Sequence, residues 1–532
     1  MKSRLFFSFL LLVLLLNCAR RGRPEGGPRD FDKPIMVRAE PEFLSLQFDD
    51  DEIKIYFDEY VKLKDVNSQL IVSPPLKYPP IISPQGTPSK KITIKLNDTL
   101  LDNTTYTFNF GQSVLDNTEG NILDNFKYII STGDYIDSLK IGGKIGDAFN
   151  LEMIQGPTVM LYPIDTSYTD SIVYKEKPTY VGSTIDSVSW SITNIKAGTY
   201  KVIALNDRSK NYKYNPKEDK IAFYEGTIEM PGDSIYDLKL FKETTDFDLI
   251  GRPKEVSKGH LIFGFEGDPK GTELQVLSET PESFRSFFHK DQEKDTIHFY
   301  MSDYDKDTIQ MLVLNKKVKD TVKITVNDED IDSMRIGFSH FGLLHPRDTF
   351  KILSNVPVME FDTTKVHLID KDSVKVPYDF EFAEERQRIF LNFEQGLQES
   401  YLLMIDPGAL TDIYGIANDS LNVKFKTGRV SDYCSVYLTL NNIKRFPIIV
   451  DLINDRGMIV GKAKADGPKE FEFKNLQPSR FMVRVIYDDN DNGKWDTGNY
   501  LKSLQPEEVY YFENIIDAKA NWEVVESFTL QP

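Results

Sequence analysis

Residues 475–500 read NLQPSRFMVRVIYDDNDNGKWDTGNY, from Asn475 to Tyr500. The stretch opens on a turn, Gln477-Pro478-Ser479. It continues with Phe481, Val483 and Val485 alternating with Met482, Arg484 and Ile486. Successive side chains of an extended chain point to opposite faces, so this alternation predicts a half-buried β-strand. The strand empties into Asp488, Asn490, Asn492, Gly493 and Asp496, an oxygen-rich cluster of turn-forming residues. A second copy, NIKAGTYKVIALNDRSKNYKYN, runs from Asn194 to Asn215. Asn194 precedes Asp207 by 13 residues, and Asn475 precedes Asp488 by 13. Lys213-Tyr214 then falls where Lys494-Trp495 falls. Fixed spacing of this kind implies a chain assembled from duplicated β-modules.

A second repeat lies outside the first. Ile53-Lys54-Ile55-Tyr56-Phe57 and Ile92-Thr93-Ile94-Lys95-Leu96 alternate cleanly, with Pro74, Pro75, Pro79, Pro80 and Pro84 breaking the chain between them. Tyr106 precedes Gly120 by 14 residues and Gly120 precedes Thr132 by 12; Tyr401, Gly415 and Thr427 repeat both spacings. Ser131-Thr132-Gly133 and Lys426-Thr427-Gly428 close the two copies. At ITIKLNDTLLDNTTYTFNFGQSVLDNTEGN and FKYIISTG the first copy resembles the Ig-like domain of bacterial surface-layer and lipoprotein sequences. In that family such β-sandwiches act as spacers and interaction modules. The modules around the two Asp/Asn loops resemble the carboxypeptidase regulatory-like, transthyretin-like β-sandwich of bacterial surface proteins. The fold class expected is therefore all-β, a multidomain chain of Ig-like and transthyretin-like β-sandwiches. At 532 residues the chain is too long for one core, and no sustained helical stripe interrupts the strand pattern.

At the N-terminus Lys2 and Arg4 precede an apolar run over residues 5–16, of signal-peptide length and too short to span a bilayer. The run ends in Leu15-Leu16-Asn17-Cys18, which resembles a bacterial lipoprotein signal. That resemblance implies lipidation of Cys18, although Asn17 departs from the small residue usual there. An ordinary secretory signal is the alternative. The division expected is a signal peptide over 1–17, a lipidated tether over 18–34 and an Ig-like domain over 35–135. A regulatory-type sandwich over 136–243, a further β-domain over 244–352, a second Ig-like domain over 353–431 and a second regulatory-type sandwich over 432–532 complete it. Arg20, Arg21 and Arg23 in the tether suit anionic headgroups as well as they suit an unstructured spacer. Cys434 is then the lone thiol of the mature chain and has no assigned role.

A net charge of −18 argues against a nucleic-acid partner, whose phosphates need clustered Lys and Arg. Asp488, Asn490, Asn492 and Asp496 fall at loop positions 1, 3, 5 and 9, with Gly493 at 6, a spacing that wraps calcium. Position 12 is Asn499 where a bidentate Glu is wanted. The upstream copy offers Asp207, Ser209, Asn211 and Asn215 with Glu218 at position 12, but Tyr212 where Gly is wanted. A tight Asx turn without metal is the competing reading of both loops. The six histidines, His260, His289, His298, His340, His345 and His367, show no metal-ligand spacing, and neighbouring His340 and His345 read as turn packing. No nucleophile elbow, phosphate loop or dinucleotide fingerprint occurs, so the expectation is not an enzyme; a hydrolase would need acidic groups converging in one cleft.

Triplets of Asp, Ser or Thr, and an aliphatic residue recur, among them Asp98-Thr99-Leu100, Asp307-Thr308-Ile309 and Asp372-Ser373-Val374. They resemble the O-glycan acceptor triplet of Bacteroidota, and they equally suit a turn entering a strand. With the lipoprotein signal and the Ig-like opening, the resemblance implies a Bacteroidota outer-membrane lipoprotein. The role expected is a scaffold for envelope proteins, in barrel assembly or secretion. The alternative is an adhesin or glycan-binding lipoprotein, with Trp190, Trp495 and Trp522 as candidate exposed aromatics, although Trp495 and Trp522 abut strand patterns that suit core anchors.

Overall fold

The computed structural model describes residues 29–530, except 152, 185–187, 233–234, 292, 317, 327–329 and 513. The signal peptide over 1–17, Cys18, Arg20, Arg21 and Arg23 lie outside the described residues. Five β-sandwiches follow, each with its own apolar core. Among the described residues helix is confined to single turns such as Val66–Gln69 and Ile172–Lys175. Among the described residues no helix is long and apolar enough to cross a membrane.

In the first sandwich the strands Met36–Glu40, Glu52–Leu63, Ser89–Lys95 and Ile81–Ser83 form one sheet in that order. Ile71–Ser73, Thr105–Asn109 and Lys127–Ser131 form the other. Ile53, Ile55 and Phe57 point inward, as their alternation with Lys54 and Tyr56 predicts.

The fourth sandwich repeats the first down to single hydrogen bonds. Tyr106 Oη accepts from Leu101 N–H at 2.8 Å, and Tyr401 Oη accepts from Gly396 N–H at 2.8 Å. Thr132 Oγ1 donates to Leu101 O and accepts from Thr104 N–H; Thr427 Oγ1 does the same with Gly396 O and Glu399 N–H. Gly120 and Gly415 both stand at φ 81°, which a residue with a Cβ rarely adopts. One boundary needs correcting. Ile336–Phe338 pairs with Phe350–Ser354, and Leu343–Leu344 with Leu421–Thr427, so the fourth sandwich takes in strands that the sequence reading gave to the segment before residue 353. These two strands are short, and their pattern does not say which neighbour they join. The third sandwich is built on Asp248–Ser257, His260–Glu266, Thr296–Ser302 and Arg285–Lys290, faced by Glu273–Val276, Thr308–Asn315 and Val318–Thr325.

The second and fifth sandwiches share a topology. Gly198–Asn206 and Ser479–Tyr487 are their central strands, and each pairs with the strand that follows its Asp/Asn loop, Lys220–Phe223 or Val509–Tyr511. In each, the last strand returns parallel to the first: Leu238–Leu240 to Leu139–Asp147, and Glu523–Thr529 to Cys434–Asn441.

The five sandwiches do not simply string out. A sixth apolar cluster, separate from the five cores, joins the second to the fifth: Ile203, Leu205, Tyr214, Phe223 and Phe241 enclose Tyr500, with Trp495 against them. The alternating strand at 479–487 is accordingly buried on both faces over its second half, where Arg484 and Ile486 are covered. The reading of a half-buried strand therefore fails there. Its second face meets the other repeat copy instead of water.

Candidate functional site at the seam between the repeat modules

The seam is made by the chain between Tyr487 and Val509. Trp495 packs at a tilt of 41° on Phe149 of the second sandwich with centroids 4.7 Å apart, and Tyr500 meets Phe223 edge-on at 5.3 Å. Thr497 Oγ1 donates to Lys242 O at 2.7 Å, Gln505 Nε2 to Phe223 O at 2.9 Å, and Tyr500 N–H to the buried Glu243 carboxylate. Beneath the loop, Arg484 donates from Nε and Nη2 to the one oxygen Oδ2 of buried Asp451, at 3.0 and 2.6 Å, and lies 4.4 Å over the Phe149 ring. Burial opposes the Arg484 charge, but Tyr511 and Asp451 outweigh it and hold its pKa above the usual value. Tyr511 Oη in turn donates to Phe149 O at 2.8 Å. Apolar contact, a paired charge and satisfied backbone groups together mark a built interface.

The four loop residues singled out by spacing do come together at the outer end of this seam. Asp488, fully buried, accepts from Asn492 N–H and Gly493 N–H, each at 2.9 Å. Asn490 and Asn492 both direct their side-chain amides to Asp496 Oδ2. Lys464 Nζ stands 3.3 Å from Asp488 Oδ2 and 2.5 Å from Asp491 Oδ1. Among the described residues no group of three or more His, Cys, Asp or Glu side chains is arranged to hold a metal. Position 12 turns elsewhere: Asn499 Oδ1 accepts from Lys502 N–H at 3.0 Å. A residue the spacing did not point to takes its place beside the loop. Glu507, 8% exposed, accepts from Asp496 N–H through Oε2 at 2.9 Å, while its Oε1 is buried without a hydrogen-bond partner. Burial, with the charges of Asp496 and Asp488, pushes the Glu507 carboxyl above the usual range against the pull of nearby backbone N–H groups.

The upstream loop has the same backbone. Tyr212 and Gly493 are both at positive φ, as are Lys210 and Asp491, and Asp207 accepts from Tyr212 N–H as Asp488 does from Gly493. There the buried acid is Asp219, whose two oxygens are taken by Arg208 N–H and Asn215 N–H. Of the other upstream residues, Ser209 Oγ donates to Asp207 at 3.1 Å, Asn211 Oδ1 accepts from Lys213 N–H at 2.7 Å and Glu218 N–H donates to Asn215 O at 3.0 Å.

Of the histidines, three from separate strands of the third sandwich meet. His260 Nε2 and His298 Nδ1 are 2.9 Å apart, and the His289 ring stacks on His298 at 5.1 Å. His340 and His345 do not share a site: the first bonds Ser339 Oγ and the second packs on Tyr433. Trp190 is buried, Trp495 lies in the seam and Trp522 is half exposed, so the three make no common aromatic platform; Trp522 is not the core anchor its position suggests. Cys434 is buried, and burial raises its thiol pKa. Of the triplet hydroxyl residues, Thr99 and Ser373 are exposed and Thr308 is half-buried.

No curated protein matches the chain. Among solved structures, the surface layer protein SbsC, domains 1–6, is 11% identical over 88% of this chain and 67% of that one, with a TM-score of 0.15. The Bacillus anthracis TIE protein is 10% identical over 98% and 78%, with a TM-score of 0.14. BcpA, the major pilin subunit of Bacillus cereus, is 11% identical over 73% and 99%, with a TM-score of 0.14. Scores this low carry no argument about the arrangement of the sandwiches. Residues 30–132, the first sandwich, match the family model of the bacterial Ig-like domain.

Proposed function

We propose that this chain is a non-enzymatic scaffold of a bacterial cell envelope, tethered to the outer membrane by lipid on Cys18 and presenting its sandwiches to other envelope proteins. The observation that carries the reading is the seam between the second and fifth sandwiches. It ties distant parts of the chain into a unit through apolar packing and hydrogen bonds between the second and fifth sandwiches. The Ig-like match over 30–132 supports a modular role for the first sandwich. A place in barrel assembly or secretion is the specific form of this proposal, with the second and fifth sandwiches read as transthyretin-like modules of a Bacteroidota lipoprotein. The dispersal of Trp190, Trp495 and Trp522 denies an adhesin or glycan-binding role the shared tryptophan face it would use. Purification in mild detergent followed by mass spectrometry should recover the chain with stoichiometric envelope proteins, and C18S should release it from the membrane. A monomer with no partner, or a C18S chain that stays membrane-bound, would overturn the proposal.

A further inference from the structure

We infer that the loop of the fifth sandwich is a single calcium site, formed by Asp488, Asn490, Asn492 and Asp496 and completed by Glu507, and that the bound ion clasps the fifth sandwich to the second. This goes beyond the scaffold reading. Calcium takes six to eight oxygen ligands, and a loop with side-chain oxygens at positions 1, 3, 5 and 9 needs a further carboxylate to close the shell. The sequence position that would supply it, Asn499, is committed to Lys502. Glu507 reaches the same loop from the other side, hydrogen-bonded to Asp496 N–H, with one oxygen shut away from solvent and left without a partner. An unpaired carboxylate oxygen buried beside two further carboxylates is unfavourable, and a cation joining the three relieves it.

In the described arrangement the loop is closed by its own donors. The amides of Asn490 and Asn492 bond Asp496, and the Lys464 ammonium stands by Asp488. Binding turns those two amides so that their oxygens replace their nitrogens facing Asp496. Lys464 keeps its closer partner, Asp491. The upstream loop is the internal control. It has the same backbone, but its buried acid Asp219 has both oxygens satisfied, so the chain takes one ion and not two. The clasp follows from connectivity, because Trp495, Thr497, Tyr500 and Gln505, the seam contacts, lie on the chain segment between ligand Asn492 and ligand Glu507.

The test uses the mature chain with CaCl₂ and isothermal titration calorimetry, with thermal unfolding and hydrogen exchange in parallel. The expected result is one ion per chain, with affinity in the range of about 10⁻⁵ to 10⁻³ M typical of extracellular modules and weaker sensors. Calcium should raise the Tm and slow exchange over residues 145–149 and 240–243, the strip of the second sandwich beneath the loop. E507Q should lose at least about tenfold in affinity while its metal-free Tm stays at or above that of the parent, because the buried charge is gone. That combination separates a ligand from a merely structural residue. No heat and no Tm change at 10 × 10⁻³ M calcium, about ten times the weakest expected Kd, would overturn the inference. Binding that E507Q leaves unchanged, or a second ion lost on D207N, would overturn it equally.

Discussion

Tyr500 and Phe223 belong to different sandwiches, so an energetic coupling between them exists only if the seam forms. Tyr500 is 2% exposed and Phe223 4%, with ring centroids 5.3 Å apart and planes at 74°. Removing the Tyr500 ring gives up roughly 150 Å² of burial, about 4 kcal/mol at about 25 cal/mol per Å², within the about 3–5 kcal/mol seen when buried aromatics become Ala. F223A should have a similar effect on the second sandwich. The double variant should fall short of the sum by about 0.5–1.5 kcal/mol, the worth of an edge-on aromatic pair beyond its area. Because several sandwiches need not unfold together, this coupling is read locally. Hydrogen exchange of Gly198–Asn206, in the second sandwich, reads the effect directly. Y500A, a change in the fifth sandwich, should speed exchange there. If exchange over 198–206 is unchanged in Y500A, or if the two substitutions are additive within about 0.3 kcal/mol, the sandwiches do not pack together and the reasoning fails.

The remaining predictions concern the latches and charges that hold each part. Y106F and Y401F each strand a backbone N–H, of Leu101 or Gly396, and should each destabilise their own sandwich by about 1–2 kcal/mol in urea titrations; a large effect in only one copy would deny that the latch is repeated. R484M leaves Asp451 buried and unpaired and should destabilise the fifth sandwich by about 3–5 kcal/mol, most of it recovered when Asp451→Leu is added. Burial, helped by repulsion from His298 and His289 and opposed by Asp332, lowers His260 from 6.5 to about 4. A base with a depressed folded pKa contributes stability above its unfolded pKa and loses it as pH falls through that interval. The third sandwich should therefore weaken between pH 6.5 and 4, by about 2 kcal/mol after allowing for partial exposure, and H260F should flatten that part of the pH profile.

Much of this architecture was legible because β-structure writes itself locally. The 53–57 alternation, the repeated Tyr, Gly and Thr spacing and the 13-residue offset before each loop Asp all reflect contacts within one module. The seam was not, for a physical reason. Lys201 and Arg484 interrupt the apolar face of the two central strands and look like residues facing water. Both are buried, because a long side chain can carry its charge to a partner: Lys201 Nζ donates to Glu225 O and Gly226 O, and Arg484 reaches Asp451. The apolar neighbours Ile203, Leu205 and Ile486 were the available signal that both faces are covered. The histidine group escaped for the opposite reason. His260 lies 29 and 38 residues before His289 and His298, and the three meet only through strand register, whereas His340 and His345 are close in sequence and diverge.

The asymmetry between the two repeat copies ties the seam to the loop. Tyr214 and Trp495 hold equivalent places after the two loops, and both face the shared cluster, so duplication alone supplies two complementary apolar patches. Two copies meeting only through equivalent residues would give matching loops, yet residues 488–508 separate the paired strands of the fifth sandwich where 207–219 suffice in the second. The added length lies after Trp495. It brings Tyr500 into the cluster, Thr497 and Gln505 onto backbone carbonyls of the second sandwich, and Glu507 back beneath Asp496. One insertion thus builds the contact and delivers the unpaired buried oxygen. Shortening this loop to the length of its upstream counterpart should therefore abolish both the protection of the second sandwich and the response to calcium; retention of either one alone would separate the clasp from the ion.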